Sequence, residues 1–486
     1  MGNHEVAVVG LGSVTPIGIG TGDYWEGLLA GKSGVREVSF PNAHRLKSRV
    51  AGIVDGFSLD DLFLDQLSHS RCSKFLLRAV KEALLDASLL DGDNSLLTDT
   101  RRVMASFGTW AGSTFENDGY YSHFLFPQYL HVSLESYLKV EDADARQILF
   151  EHQVLPLLDF GRDILPQHLV EYADALKNGI SPQERDLLLE RLFAEESSMT
   201  LDAFLGKDGL IWDITPDRLS TIVARAFGIR GGVQVVGNAC ASGISAIGEA
   251  FHLIKSGRAD VVVAGGADAA NYPYMMALFD QINWLSCSYN HEPHRASRPF
   301  DECSDNFVQA EGSGVLILEN LDHAVKRGAS IRGIVKGYGL TTNPDRRGEV
   351  TSDGYIRALQ MCLADTNVGT HEVGYISSCA VAFKDADYFE LYALRQVFGD
   401  HIPKVSSIKS YMGHPYAAAG ALQAIANIRS METGTLIPTL NLESPRDEFA
   451  PYLLREIQQG VDVQHTIASG HGCGNHCAEL LMSKGG

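Results

Sequence analysis

Short runs rich in valine and isoleucine, bounded by glycine, recur at residues 6–9, 235–236, 261–264, 315–318 and 331–335. Their unbroken apolar character predicts strands covered on both faces. Between them, residues 24–29, 75–85, 219–227 and 244–254 repeat apolar side chains at spacings of three and four, which predicts helices. Buried strands alternating with helices predict an α/β protein. An internal echo sharpens this. Residues 6–15, VAVVGLGSVT, resemble 332–342, RGIVKGYGLTT, and residues 235–243, VVGNACASG, resemble 405–420, VSSIKSYMGHPYAAAG. The echoes keep the same order, so the pattern predicts a duplicated α/β unit in which each half brings one strand-to-helix turn to a shared centre. Gly10 and Gly12 do not complete a dinucleotide fingerprint, because the third glycine is missing and no strand-end acid follows at the required distance.

Residues 113–211 break this rhythm. They are rich in Leu, Glu, Asp and Tyr, and segments 167–176 and 182–192 read as amphipathic helices, with Pro182 placed for a first helical turn. The segment is predicted to be a helical insertion, serving as a lid or an oligomer cap. With 486 residues, 45% hydrophobic and 21% charged, the chain has the profile of a folded globular protein. Acidic residues outnumber basic ones 60 to 40, for a formal charge of −20, which argues against nucleic acid or an anionic membrane as the main partner. No signal-peptide pattern opens the sequence, and no apolar stretch approaches the length of a membrane span. Eight scattered cysteines then point to reduced thiols in a cytoplasmic protein.

The segment 237–249, GNACASGISAIGE, runs from a strand into a helix and places Cys240 on the turn. Unsatisfied N–H groups and the positive end of the helix dipole favour a thiolate there, and small neighbours leave room for a substrate, so a nucleophile is expected; a buried core thiol is the alternative. The second turn, 405–421, holds Lys409, Gly413 and His414 before another run of small residues, which adds an ammonium and an imidazole from the other half.

Five motifs in order, NACASG (238–243), AGGADA (264–269), SRPFD (297–301), AEGSG (310–314) and SSIKSYMGHPYAAAG (406–420), resemble the elongating β-ketoacyl-acyl-carrier-protein synthases of the thiolase superfamily. The resemblance implies a five-layered αβαβα thiolase fold of two halves, here 1–270 (with the insertion 113–211) and 271–486. It further implies a dimer acting on acyl groups carried by the phosphopantetheine of an acyl carrier protein, with no cofactor or metal of its own. By the same resemblance Cys240 takes the acyl chain, and His414 is the second of two histidines that hold the malonyl thioester carbonyl while carbon dioxide leaves. Lys409 and Glu311 match the supporting lysine and glutamate, expected as an internal ion pair between the halves. Arg71 and Lys74, on one predicted helix with Arg78 and Lys81, fall where the carrier-protein patch lies, and would otherwise form a solvated basic face. Arg346 and Arg347 are a second candidate for phosphate contact.

The chain departs from the family in two places. Residues 375–387, YISSCAVAFKDAD, put Cys379 where the first histidine belongs, although Asp387 and Glu390 are retained. Val381 and Phe383 stand in for the two threonines that contact pantetheine, and Lys384 for a proline. A thiol is a poor donor beside an imidazole N–H, and losing one such donor typically costs about 10²–10³ in rate, so efficient malonyl decarboxylation by the usual route is not expected. The C-terminal gate reads Gly472, Cys473, Gly474 and Asn475, preceded by His471, and the smaller Cys473 predicts a more open acyl pocket. Three functions fit. One is acyl transfer from Cys240 to an acceptor other than ordinary malonyl carrier protein. Another is thiolase-like condensation with Cys379 or Cys473 as base. The third is a non-elongating partner subunit similar to chain-length factors, pairing in a heterodimer with a complete synthase. Finally, His471, Cys473, His476 and Cys477 have zinc-ligand spacing, but adjacent residues 476 and 477 on a strand would face opposite ways, so no metal is assigned.

Overall fold

The fold comes from a computed structural model, which describes residues 4–40, 43–59, 64, 70–110, 137–140, 142, 145, 147–148, 150–154, 181–196, 217–344 and 351–485. The chain divides into two compact units, one comprising residues 1–39, 43–116 and 215–486 and the other 40–42 and 117–214.

Ten strands of the larger unit form one sheet. They are β1 (Val6–Thr15), β2 (Val103–Gly108), β3 (Val233–Val236), β4 (Val261–Ala269), β5 (Glu311–Asn320), β6 (Gly333–Thr342), β7 (Val373–Ser377), β8 (Lys404–Ser406), β9 (His465–Gly472) and β10 (His476–Lys484). Their order is β8-β7-β9-β10-β6-β1-β5-β4-β2-β3, with a short strand at Gly18–Ile19 paired to β1. Taken inward from each edge, both halves run third, second, fourth, fifth and first strand. In both, the first three of these are parallel and the last two antiparallel. The duplication expected from the echoes is thus present strand for strand, and the halves join where β1 pairs antiparallel with β6 at Val6↔Val335, Ala7↔Ile334 and Val8↔Gly333.

This topology corrects the boundary between halves expected at 270/271. Strand β5 is hydrogen-bonded to β4 on one side and β1 on the other, so it completes the first half. The second half begins at β6, where the echo at residue 332 had already placed its first strand.

Helices α1 (Arg71–Asp86) and α2 (Arg218–Phe227) cover the outer face of the first half. Between the halves lie α3 (Ser242–Lys255) and α6 (Ala418–Thr433), each touching strands of both. Helix α4 (Ser352–Ala364) covers β6 and β10, with α5 (Lys384–Phe398) beside it. The result is five layers, αβαβα. Three apolar clusters fill the gaps: Ile244, Ile247, Leu422 and Ile425 in the centre, Phe75, Val80, Val103 and Ile317 under α1, and Ile376, Leu391, Leu394 and Ile467 under α5.

Two glycines show why the layers approach so closely. A Cβ on Gly12 would lie 1.9 Å from the Ala79 carbonyl oxygen of α1, so the GLG of β1 serves strand–helix contact. A Cβ on Gly243 would lie 2.0 Å from the Ala417 carbonyl oxygen, where the two central helices begin side by side.

In the smaller unit, a helix spans Pro182–Glu196, with Pro182 in its first turn as expected. Ser181 and Glu184 cap it reciprocally, at 3.0 Å from the Ser181 N–H to the carboxylate and 3.3 Å from the Glu184 N–H to the hydroxyl. Tyr137 donates to Asp186 at 2.7 Å, and the Arg185 guanidinium lies over the Phe150 ring at 4.9 Å. The helix expected at 167–176 lies outside the described residues, as do Arg346 and Arg347. Among the described residues no helix is long and apolar enough to cross a membrane.

Candidate active site

Strand β3 ends at Val236, and the chain turns through Asn238–Ala241 into α3. Ala239 takes φ +49°, a conformation that costs a residue with a Cβ, and the turn is held by the Ser242 hydroxyl, which accepts from the Asn238 N–H at 2.8 Å and donates to the Ala239 carbonyl. Cys240 therefore stands at the N-terminal end of a buried helix. The turn before α6 has the same form: Tyr416 takes φ +47°, and His414 is pinned by its N–H to the Val308 carbonyl (2.7 Å) and its carbonyl to the Ala310 N–H (3.0 Å).

A cavity of about 750 Å³ opens between these turns. It is lined by Cys240, His414, Cys379, Val381, Phe383, His471 and Cys473, so most of the candidate residues meet there. Its walls also carry Tyr416, from the 406–420 motif, and Trp110, Phe279, Trp284, Phe307 and Tyr355, which had no sequence signal because they come from separate loops and helices.

The thiol pair is the first chemical feature. Cys240 and Cys473 both line the cavity, and their thiols influence one another's ionisation. The neighbouring Cys473, then burial and the nearby Asp268, raise the Cys240 thiol well above its ordinary value, while Cys473 is lowered to about 7, chiefly by Cys240. The expectation of a thiolate on Cys240 from the helix terminus alone is corrected: Cys473, burial and Asp268 oppose ionisation of Cys240, and the thiol of Cys473 is the one pulled down.

Burial, then Lys409 and His471, hold His414 well below its ordinary value, so the ring is neutral at pH 7. It is 7% exposed, and its Nδ1 has no hydrogen-bond partner among the described residues. Burial also lowers His471 to about 4, and its ring stacks on Tyr355 with centroids 5.1 Å apart.

Cys379, expected to replace a histidine, lines the cavity, with its sulfur turned to Glu390 and Tyr355. Sγ donates to Glu390 Oε2 at 3.3 Å and lies 3.5 Å from the Tyr355 hydroxyl. Burial, then Glu390, keep this thiol protonated. Val381 and Ala382 donate their N–H groups to the Asp387 carboxylate, as does Phe300, yet burial still raises Asp387 to about 7. Lys409, 3% exposed, donates to the carbonyls of Cys379 (2.9 Å) and Ser378 (3.4 Å), and so fixes the backbone that carries residue 379.

Glu311 is not the partner of Lys409, which corrects the ion pair expected between the halves. Its buried carboxylate takes a bidentate bond from Arg71 at 2.8 and 2.6 Å and the Val54 N–H at 2.9 Å. The acid beside residue 379 is Glu390, which the sequence marks only by its retention. Arg71 is committed to this pair on its inner side and is 43% exposed, with Lys74 one turn along α1. The zinc-spaced residues separate: His471 and Cys473 line the cavity, His476 Nδ1 bonds the Thr342 hydroxyl (2.9 Å), and Cys477 is buried beside Tyr355 and Cys379. Among the described residues no group of three or more His, Cys, Asp or Glu side chains is placed to hold a metal.

A cysteine on a strained strand-to-helix turn, paired across a two-fold repeat with a histidine turn, defines a thiolase-fold enzyme of the acyl-transferring kind. The family models for the β-ketoacyl synthase N-terminal domain match residues 3–134 and 196–324, and those for its C-terminal domain residues 332–443. The chain belongs to the β-ketoacyl synthase family, the condensing enzymes of polyketide and fatty-acid synthesis. It is 29% identical to the tetracenomycin polyketide synthase ketoacyl synthase alpha subunit of Streptomyces glaucescens, over 99% of this chain and 97% of that one. It is also 29% identical to a 3-oxoacyl-[acyl-carrier-protein] synthase 2 of a Synechocystis strain, over 99% and 98%. Among solved structures, the ishigamide ketosynthase/chain length factor is similar at a TM-score of 0.72 and 24% identity, covering all of both chains.

Proposed function

We propose that this protein takes an acyl chain from an acyl carrier protein onto Cys240 and passes it to an acceptor, with malonyl decarboxylation altered from the family's usual route. The observation that carries this is Cys240 on its strained turn, open to the same cavity that His414 and Cys473 line. In loading, the Cys240 sulfur attacks the thioester carbonyl, the carbon–sulfur bond to pantetheine breaks, and the released pantetheine sulfur takes the proton given up by the thiol pair. Neutral imidazole N–H at His414 can then hold an acceptor's carbonyl oxygen. The altered step follows from Cys379, whose sulfur is turned to Glu390 and cannot supply the second donor.

Phosphopantetheine arrives on the carrier protein, and no further cofactor is required. The exposed side of Arg71, with Lys74, is proposed as the carrier contact. Among the described residues strand β3 ends the sheet with one pairing partner, and its Val233 is 40% exposed, an open apolar edge that suits a second copy of this chain or a related synthase.

The Cys240–Cys473 contact favours a second reading, thiolase-like condensation without decarboxylation, with Cys473 rather than Cys379 as base. A partner subunit without chemistry is disfavoured by the intact nucleophile turn. Intact-mass spectrometry after incubation with acyl carrier proteins or acyl-thioester mimics tests the proposal. An acyl adduct that is lost in Cys240→Ala supports it. No adduct with any chain, together with a stable heterodimer on co-expression with a complete synthase, would establish the partner subunit instead.

A further inference from the structure

Strand β4 ends in a buried acid. Asp268, 1% exposed, takes the Thr109 hydroxyl on Oδ1 at 2.7 Å, shares the Trp110 N–H between its two oxygens at 3.2 and 3.1 Å, and takes the Ala417 N–H on Oδ2 at 2.9 Å. Thr109 follows β2, and its own N–H reaches the Val236 carbonyl at 3.4 Å, where β3 gives way to the Cys240 turn. Ala417 is the N-cap of α6, three residues after His414. Its methyl cannot cap the helix, so a carboxylate from a strand of the other half does so. One side chain thus joins the approach to the nucleophile with the histidine turn.

Ala417 is held from its other side as well. A Cβ on Gly243 would lie 2.0 Å from the Ala417 carbonyl oxygen, and one on Gly266 would lie 2.4 Å from it and 3.2 Å from the Gly243 Cα. Gly243 stands three residues after Cys240, and Gly266 two before Asp268. The carbonyl is lodged against two bare backbones while the N–H is tied to the acid, so the histidine turn cannot slide against the nucleophile turn without breaking one of these contacts. The charge does not help the nucleophile. Asp268 opposes ionisation of Cys240, after Cys473 and burial, with Lys409 acting the other way.

We propose that Asp268 is a positioning residue that sets His414 against Cys240 across the two halves. The inference rests on the acyl-transfer reading above, in which both residues act on one substrate, and adds to it a residue that acts through the Ala417 N–H.

Asp268→Asn keeps the size and removes the charge. An amide has one acceptor oxygen, so in either orientation it can serve Ala417 or the Thr109–Trp110 side and not both, and the link between the turns is cut. Loading of Cys240 by an octanoyl carrier protein should stay at or above the native rate. Carbon dioxide release from malonyl carrier protein by the loaded enzyme, where His414 acts, should slow about tenfold. In a His414→Ala background the same substitution should change release by less than about twofold, because the group it positions is gone. Iodoacetamide capture of Cys240 should shift to lower pH, the direction that follows from losing an opposing charge. Amide exchange in deuterated buffer should rise about tenfold at Trp110 or Ala417, whichever bond the amide gives up. Thr109→Val loses a bond to the same carboxylate but leaves Ala417 tied, so it should lower the melting temperature without separating loading from release. Equal slowing of both steps, additive losses in the double variant, or the same separation in Thr109→Val overturns the inference. If the native protein shows no loading, the acyl-transfer reading falls; unchanged exchange at both amides in Asp268→Asn then overturns the positioning role too, and faster exchange leaves it standing.

Discussion

Replacing Cys473 with alanine tests whether the thiol pair, and not the helix terminus, sets the reactivity of the site. In the native protein Cys473 is lowered to about 7, while Cys240 is raised well above its ordinary value, by Cys473 first and then by burial and Asp268. Removing Cys473 takes away the largest of those causes, but burial and Asp268 remain, opposed by Lys409, so Cys240 is expected to ionise no lower than an ordinary cysteine, about 8.5. At most ~3% of Cys240 is then thiolate at pH 7, and the midpoint is the decisive observable. The assay is iodoacetamide capture from pH 5.5 to 10, resolved by mass spectrometry of peptides containing residues 240 and 473, so that the exposed Cys287 and Cys303 do not interfere. A midpoint near 7 at Cys473 in the native protein, and at or above about 8.5 at Cys240 in Cys473→Ala, is expected. If Cys240 shows a midpoint near 7 in the variant, the helix terminus alone ionises it and the paired-thiol account fails.

Three further outcomes are expected. Arg71→Met leaves the Glu311 carboxylate, 2% exposed, with only the Val54 N–H among the described residues, and should lower stability by about 2–3 kcal/mol; Glu311→Gln in that background should recover part of the loss in thermal melts, and an unchanged melting temperature refutes the pairing. Gly243→Ala drives a methyl against the Ala417 carbonyl where the buried N-terminal ends of the two central helices meet, and overpacking there costs about 1–3 kcal/mol or more, so the melting temperature and soluble yield should both fall. Carbon dioxide release from malonyl carrier protein should run about 10²–10³ below that of a synthase with both histidines, measured side by side with labelled malonate, and comparable rates would contradict the assignment of Cys379.

Which features could be read from the chain alone follows from where their physics resides. Unbroken apolar runs make strands buried on both faces whatever surrounds them, and a segment repeated in order makes a duplicated unit, so the α/β class and the two turns, with Cys240 on the first, were visible in one dimension. The division between halves was misplaced because a boundary depends on which edges a strand pairs with, and only the sheet shows β5 bonded between β4 and β1. The same holds for charge partners: Lys409 and Glu311 have the right residue types for a pair, but folding turns one to the carbonyl of Cys379 and the other to Arg71. The aromatic lining of the cavity is the extreme case. Trp110, Phe279, Trp284, Phe307, Phe383 and Tyr416 are separated by up to 306 positions and share no motif, and they become a surface only when the layers close around the cavity. Local patterning set the elements and marked Cys240. Tertiary packing, by bringing Cys473 to that sulfur and turning Cys379 away to Glu390, decided the ionisation and the donors on which the chemistry depends.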